Sequence, residues 1–136
     1  MKCRIIVFFS LFLSLSFSLS AQIETKIIGT WVVDSVSENK NTRLNNYEGK
    51  QIDKLKKSTV VFSADHHARF KLFLSRFNIG DGYWYYNEQK DVIIITKWSN
   101  RKHDLMRLWY DELENGNLKF YIDGTPFEIY VHKTED

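Results

Sequence analysis

The sequence has one cysteine, Cys3, and one proline, Pro126, in 136 residues. Cys3 lies in the charged beginning of the chain, upstream of an apolar run. No other cysteine follows, which excludes a disulfide framework, a thiol nucleophile and a cysteine metal site in the remainder, so stability has to come from an ordinary core. Charge of one sign is also missing. Removing Lys2 and Arg4 from the 19 basic residues leaves 17, against 17 acidic residues that all lie further along. A formally neutral domain gives no general reason to bind nucleic acid. A glycine-rich phosphate loop, a nucleophile elbow and a spaced set of metal ligands are absent too.

The first segment carries the longest hydrophobic run. Lys2 and Arg4 precede apolar residues from Ile5 to Leu19, which end in small side chains, the pattern of a secretory signal peptide. The run holds roughly 15 apolar or serine residues, short of the ~20 that a spanning helix needs, so an uncleaved anchor is the weaker reading. Cleavage after Ser20 or after Ala21 fits. The expectation is a signal over residues 1–21 and one domain over 22–136, exported to the periplasm or the medium, with no transmembrane segment once the signal is removed. That length supports one core and no second domain.

From Ile28 onward the apolar period is two, the mark of half-buried strands. Trp31, Val33 and Ser35 alternate with Val32, Asp34 and Val36. A polar, Asn-rich connection follows, with Ile52 and Leu55 on one face of a possible short helix over Gln51 to Lys57. Further strands fall at about 58–64, 67–77, 83–87, 91–98, 103–113, 118–123 and 127–133. Asn115-Gly116 is a strong hairpin turn, and Pro126 sits at a strand start, where it is tolerated. Eight sequential antiparallel strands predict an all-β, eight-stranded up-and-down barrel, a size whose interior holds side chains or one small ligand. A β-sandwich is the alternative.

Three motifs carry a family resemblance: Lys26-Ile27-Ile28-Gly29-Thr30-Trp31, then Val61-Phe62-Ser63-Ala64-Asp65 before a hairpin turn, and Gly82-Tyr83-Trp84 before the fourth strand. In this order and spacing they resemble the small secreted lipocalin-like domains of bacteria, over nearly all of residues 22–136. The resemblance implies that Gly29 and Trp31 mark the closed end, with the indole packed over the barrel floor. Two features depart from the family pattern. His66 replaces the usual glycine, and no arginine near the end of the last strand is available to cover Trp31.

With Trp31 at the closed end, the short connections 64–67, 87–90 and 114–117 fall there. The connections 38–57, 75–82, 99–104 and 123–126 fall at the other end, and three of them are long. A rigid cup with variable loops at its mouth is suited to selecting a ligand. The mouth segments carry nine basic residues against six acidic ones. Arg76 and Arg101 are the candidates to grip a carboxylate or phosphate head group, since a guanidinium can do so bidentately. Phe70, Leu72, Trp84, Tyr86, Trp98 and Tyr110 are assigned inward as the apolar lining. Such rings either line a pocket or fill the barrel. In the sixth strand the preferred register turns Met106, Leu108 and Tyr110 inward, and the reverse register would bury Arg107 and Trp109.

These features predict a non-enzymatic binder of a small apolar or anionic amphiphilic molecule, with no cofactor and no bound metal. Asp65-His66-His67 places its two imidazoles on opposite faces of a strand, a poor arrangement for one metal. The alternative is an interaction or inhibitor module with a filled barrel. It would meet a protein partner through its loops and the outward rings Phe73, Tyr83, Tyr85, Trp109, Tyr121 and Tyr130.

Overall fold

The computed structural model describes residues 21–38, 55–56, 58–71 and 79–135. A short helix over residues 21–27, α1, leads into eight strands: β1 (Gly29–Glu38), β2 (Thr59–Phe62), β3 (His67–Lys71), β4 (Ile79–Asn87), β5 (Val92–Thr96), β6 (Asp104–Glu112), β7 (Leu118–Ile122) and β8 (Phe127–Lys133). Each strand pairs antiparallel with its neighbours in sequence, and β8 returns to β1. The result is the closed eight-stranded up-and-down barrel that the alternation predicts, not the sandwich. Among the described residues no helix is long and apolar enough to cross a membrane. The possible helix over 51–57 lies largely outside the described residues, although Leu55 is buried against the core.

The floor is built around Trp31. Its indole is buried, packs edge-on against Phe120 at 6.4 Å between ring centroids, and donates from Nε1 to the backbone oxygen of Ile27 at 2.8 Å. Ile27 belongs to α1. Ile23 and Ile27, four residues apart, lie on one face of the helix, and that face closes the barrel end. Ile27 is fully buried in the core and Ile23 packs against it. Above the indole lies Lys133, with Nζ 5.7 Å from the ring centroid. The cation that the sequence lacks as an arginine is therefore supplied by a lysine at the end of β8. Gly29 makes room for it, with φ at 142° and a hydrogen where any Cβ would run into Lys133 Cε.

Three departures from simple alternation have physical causes. In β1 the register with β8 shifts between Val33 and Ser35, a bulge that leaves Asp34 exposed and bonded to His132 Nδ1 at 2.6 Å. Beyond the bulge Val36, rather than Ser35, packs on the core. Secondly, β4 starts at Ile79, four residues before the expected Tyr83, because Gly80 and Gly82 lie inside the strand instead of in a loop. Gly82 allows close approach there, since a Cβ would stand 3.2 Å from the Thr96 backbone oxygen. Thirdly, β5 is buried along both faces. Ile93 and Ile95 join the core, while Ile94 faces outward between its cross-strand neighbours Tyr85 and Arg107.

The β2–β3 turn explains why histidine can stand in for glycine. His66 takes the left-handed conformation, φ 66°, which is uncommon for a non-glycine residue. It is held there by its own amide to Ser63 O (3.0 Å), by Nδ1 against Trp84 O (3.1 Å), and by stacking on the Trp84 ring.

Candidate functional site

The barrel interior is the one place where the fold gathers the predicted site residues, and its closed half is filled. Phe62 on β2 meets three rings, Phe70 at 5.7 Å, Trp84 at 5.4 Å and Phe120 at 6.1 Å between centroids. Edge-to-face and tilted contacts of this kind add to the area that the rings bury. Trp84 satisfies its indole nitrogen on Ser63 O at 3.0 Å, so it can sit inside without a stranded donor. Phe70 and Trp84 point inward, as expected, and both are committed to packing.

Tyr86 and Tyr110 also pack against the core, but beside the short 88–91 and 113–117 turns at the closed rim. The Tyr86 hydroxyl donates to the Asp91 carboxylate. Partial burial first, and then the bond to Asp91, push this phenol well above its ordinary range. Burial, followed by the nearby Asp91 charge, raises Tyr110 as well. Both stay neutral at ordinary pH and act as polar stoppers at the floor.

Toward the other end the lining is apolar, with Phe127 and with Phe70, which pairs with Ile79. Val36, Leu55, Ile79, Met106 and Ile122 complete it, all of them in or packed against the core. Met106 and Leu108 are buried while Arg107 and Trp109 are exposed, which settles the register of β6 in favour of the first reading. Among the described residues the buried polar side chains are Ser58 and Thr96, and every buried side-chain nitrogen or oxygen has a hydrogen-bond partner. Neither Ser58 nor Thr96 carries a charge at neutral pH, so this part of the interior is uncharged as well as apolar.

Two members of the predicted set lie elsewhere. Trp98 is 51% exposed, which overturns its inward assignment. The run Val92-Ile93-Ile94-Ile95 is apolar at every position and carries no alternation. Its parity is fixed by pairing, Trp84 with Ile95 and Tyr86 with Ile93, which turns the odd positions inward. The strand then ends at Thr96, whose hydroxyl donates to Trp98 O at 2.8 Å and turns the chain away. Arg101 does not face the mouth either. Its guanidinium lies 4.5 Å from the ring centroid of Tyr85, on the outer surface. Leu72 and Arg76 lie outside the described residues.

Three of the four histidines are separately engaged. His66 rests on Trp84, His67 on Tyr83 and Asp81, and His132 on Asp34. Among the described residues no group of three or more His, Cys, Asp or Glu side chains could hold a metal ion. The residues that sequence reasoning missed are Ile23 and Ile27, which close the barrel end. The i, i+4 spacing of the two isoleucines is the available signal. No family model, curated protein or solved structure matches this chain.

Proposed function

We propose that this is an exported, non-enzymatic, lipocalin-like binding protein that takes a small apolar or amphiphilic molecule into the mouth half of its barrel. The observation that carries the reading is the polarity of the inner wall, apolar up to the strand ends at Met106, Ile122 and Phe127, with no charged side chain buried among the described residues. A polar head would remain at the rim. With Arg101 held on Tyr85, a preference for anionic heads would rest on Arg76. The interaction-module reading loses support, because four of its rings already have polar neighbours. Tyr83 stacks on His67, Tyr85 on Arg101, and Tyr121 and Tyr130 lie beneath Lys119.

The test is a titration with decanol, decanoate and decylamine, followed by tryptophan fluorescence, beside mass spectrometry of an organic extract of the purified protein. The expected result is binding that is abolished by Ile122→Trp, which fills the mouth half, and unchanged by Arg101→Ala. A chain that carries nothing in its extract and answers to none of the three ligands has a filled barrel, and the module reading takes over. Export has its own check. N-terminal sequencing of the envelope fraction should begin at Ala21 or Gln22, and a chain that retains Met1 there refutes the signal.

A further inference from the structure

We propose that the β5–β6 hairpin tip, residues 97–103 with Leu105, is a docking point for an anionic lipid surface. The proposal is independent of whether the barrel holds a ligand. Among the described residues, Trp98 at 51% and Leu105 at 45% are the two most exposed large apolar side chains, and both lie on this hairpin. The tip has a fixed shape. Lys97 N donates to His103 O at 3.0 Å, Arg101 N to Trp98 O at 3.1 Å, and Lys102 N to Asn100 Oδ1 at 3.2 Å. Arg101 and His103 both take left-handed backbone conformations, φ 62° and 59°.

Positive charge gathers at the same place. Lys97, Arg101 and Lys102 fall within seven residues without an acid among them. The next acid, Asp104, is already occupied by Arg107 at 2.8 Å. Residues 22–136 are neutral overall, so this is a concentration of positive charge rather than a reflection of composition. Lys97 Nζ lies 5.1 Å from the Trp98 ring centroid, so an ammonium and an indole project together. Arg101 lies with its guanidinium carbon 4.5 Å from the Tyr85 ring centroid, and a guanidinium can meet phosphate oxygens bidentately.

A convex tip with one indole, one leucine and three cations fits a bilayer better than other anionic partners. Tryptophan favours the membrane–water interface, and lysine or arginine beside it reaches the head groups. A protein interface of standard size needs about 800 Å² per partner, more than one hairpin tip offers. Single-stranded nucleic acid calls for several stacking rings along a groove.

The experiment uses the whole purified chain with phosphatidylcholine vesicles, with and without phosphatidylglycerol, read by co-sedimentation and by quenching from brominated lipids. Binding should require phosphatidylglycerol and weaken with added salt. Roughly five-fold in affinity is expected for each cation lost, so Lys97→Gln with Lys102→Gln should weaken binding about 25-fold. Trp98→Ala should remove most of the bromolipid quenching, because Trp31 and Trp84 are buried and the other exposed tryptophan, Trp109, lies within β6 rather than at the tip. Circular dichroism confirms that each variant is folded. Equal binding to pure phosphatidylcholine, wild-type affinity in the double variant, or unchanged quenching in Trp98→Ala each overturns the proposal. Displacement of bound vesicles by single-stranded DNA at matched charge would reassign the tip to nucleic acid.

Discussion

Trp31→Ala is expected to lower stability by about 3–5 kcal/mol, a large part of the ~5–15 that holds a domain of this size. The loss has separate sources. The indole vacates space beside Phe120 and beneath Lys133, and closed β-strands cannot collapse freely into the gap. In addition, Ile27 O loses the Nε1 donor that it accepts from at 2.8 Å, and leaving a buried carbonyl unpaired costs ~1–3 kcal/mol by itself. Trp31→Phe separates these contributions, since it keeps most of the ring and removes the donor. In urea, Trp31→Ala should shift the unfolding midpoint downward at an unchanged slope, with Trp31→Phe between it and wild type. A midpoint for Trp31→Ala close to wild type would mean that Trp31 is not the floor, and the opposite end would lose its claim to be the mouth.

Ile27→Ala should also be strongly damaging, at about 2–5 kcal/mol. A helix of seven described residues has little stability of its own, so α1 stays in place through what it buries and what it is bonded to. Ile27 is fully buried in the barrel core, and its backbone oxygen receives Trp31. The contrast is Lys26, whose Nζ pairs with Glu112 at 2.8 Å in an exposed ion pair. Such pairs contribute ~0–1 kcal/mol, so Lys26→Ala should cost no more than that. The comparison needs no ligand and uses the same denaturation. If the two variants lost equal stability, α1 would be lying on the barrel end rather than closing it.

The barrel was legible because most of its strands show both faces in the sequence. Arg69 and Lys71 mark the outside of β3 as clearly as Phe70 marks the inside, and Asn115-Gly116 fixes a hairpin. Legibility ended where the pattern lost contrast. Four successive apolar residues in β5 look the same in either register, so Trp98 was counted with the lining when pairing turns it out. Glycines at 80 and 82 read as a loop because flexibility and close approach have the same residue signature, and only the neighbouring strand tells them apart. The bulge at Asp34 breaks the alternation by one residue without a glycine to announce it. For the site, the inward positions of Phe70, Trp84, Tyr86 and Tyr110 followed from period two. The direction of Arg101 did not, because it depends on a backbone twist at φ 62° and on a tyrosine sixteen positions earlier.

The pairing of β1 with β8 has a consequence for how the chain reaches its native state. Seven of the eight strand pairings join consecutive strands, and each can form as soon as its own hairpin is made. The eighth joins strands at opposite ends of the domain, from Trp31 opposite Lys133 to Glu38 opposite Phe127. The bonds from His132 to Asp34 and from Thr134 to Thr30 span the same interval. The entropy of bringing such distant segments together must be spent before any of those contacts returns it, which makes closure the slow event in a topology of this kind. Until the last strand arrives, the first has only β2 beside it, through Val32, and the floor residue Trp31 has no lysine over it. Barrel closure and the completion of its floor are thus a single kinetic step, gated by the final residues of the domain.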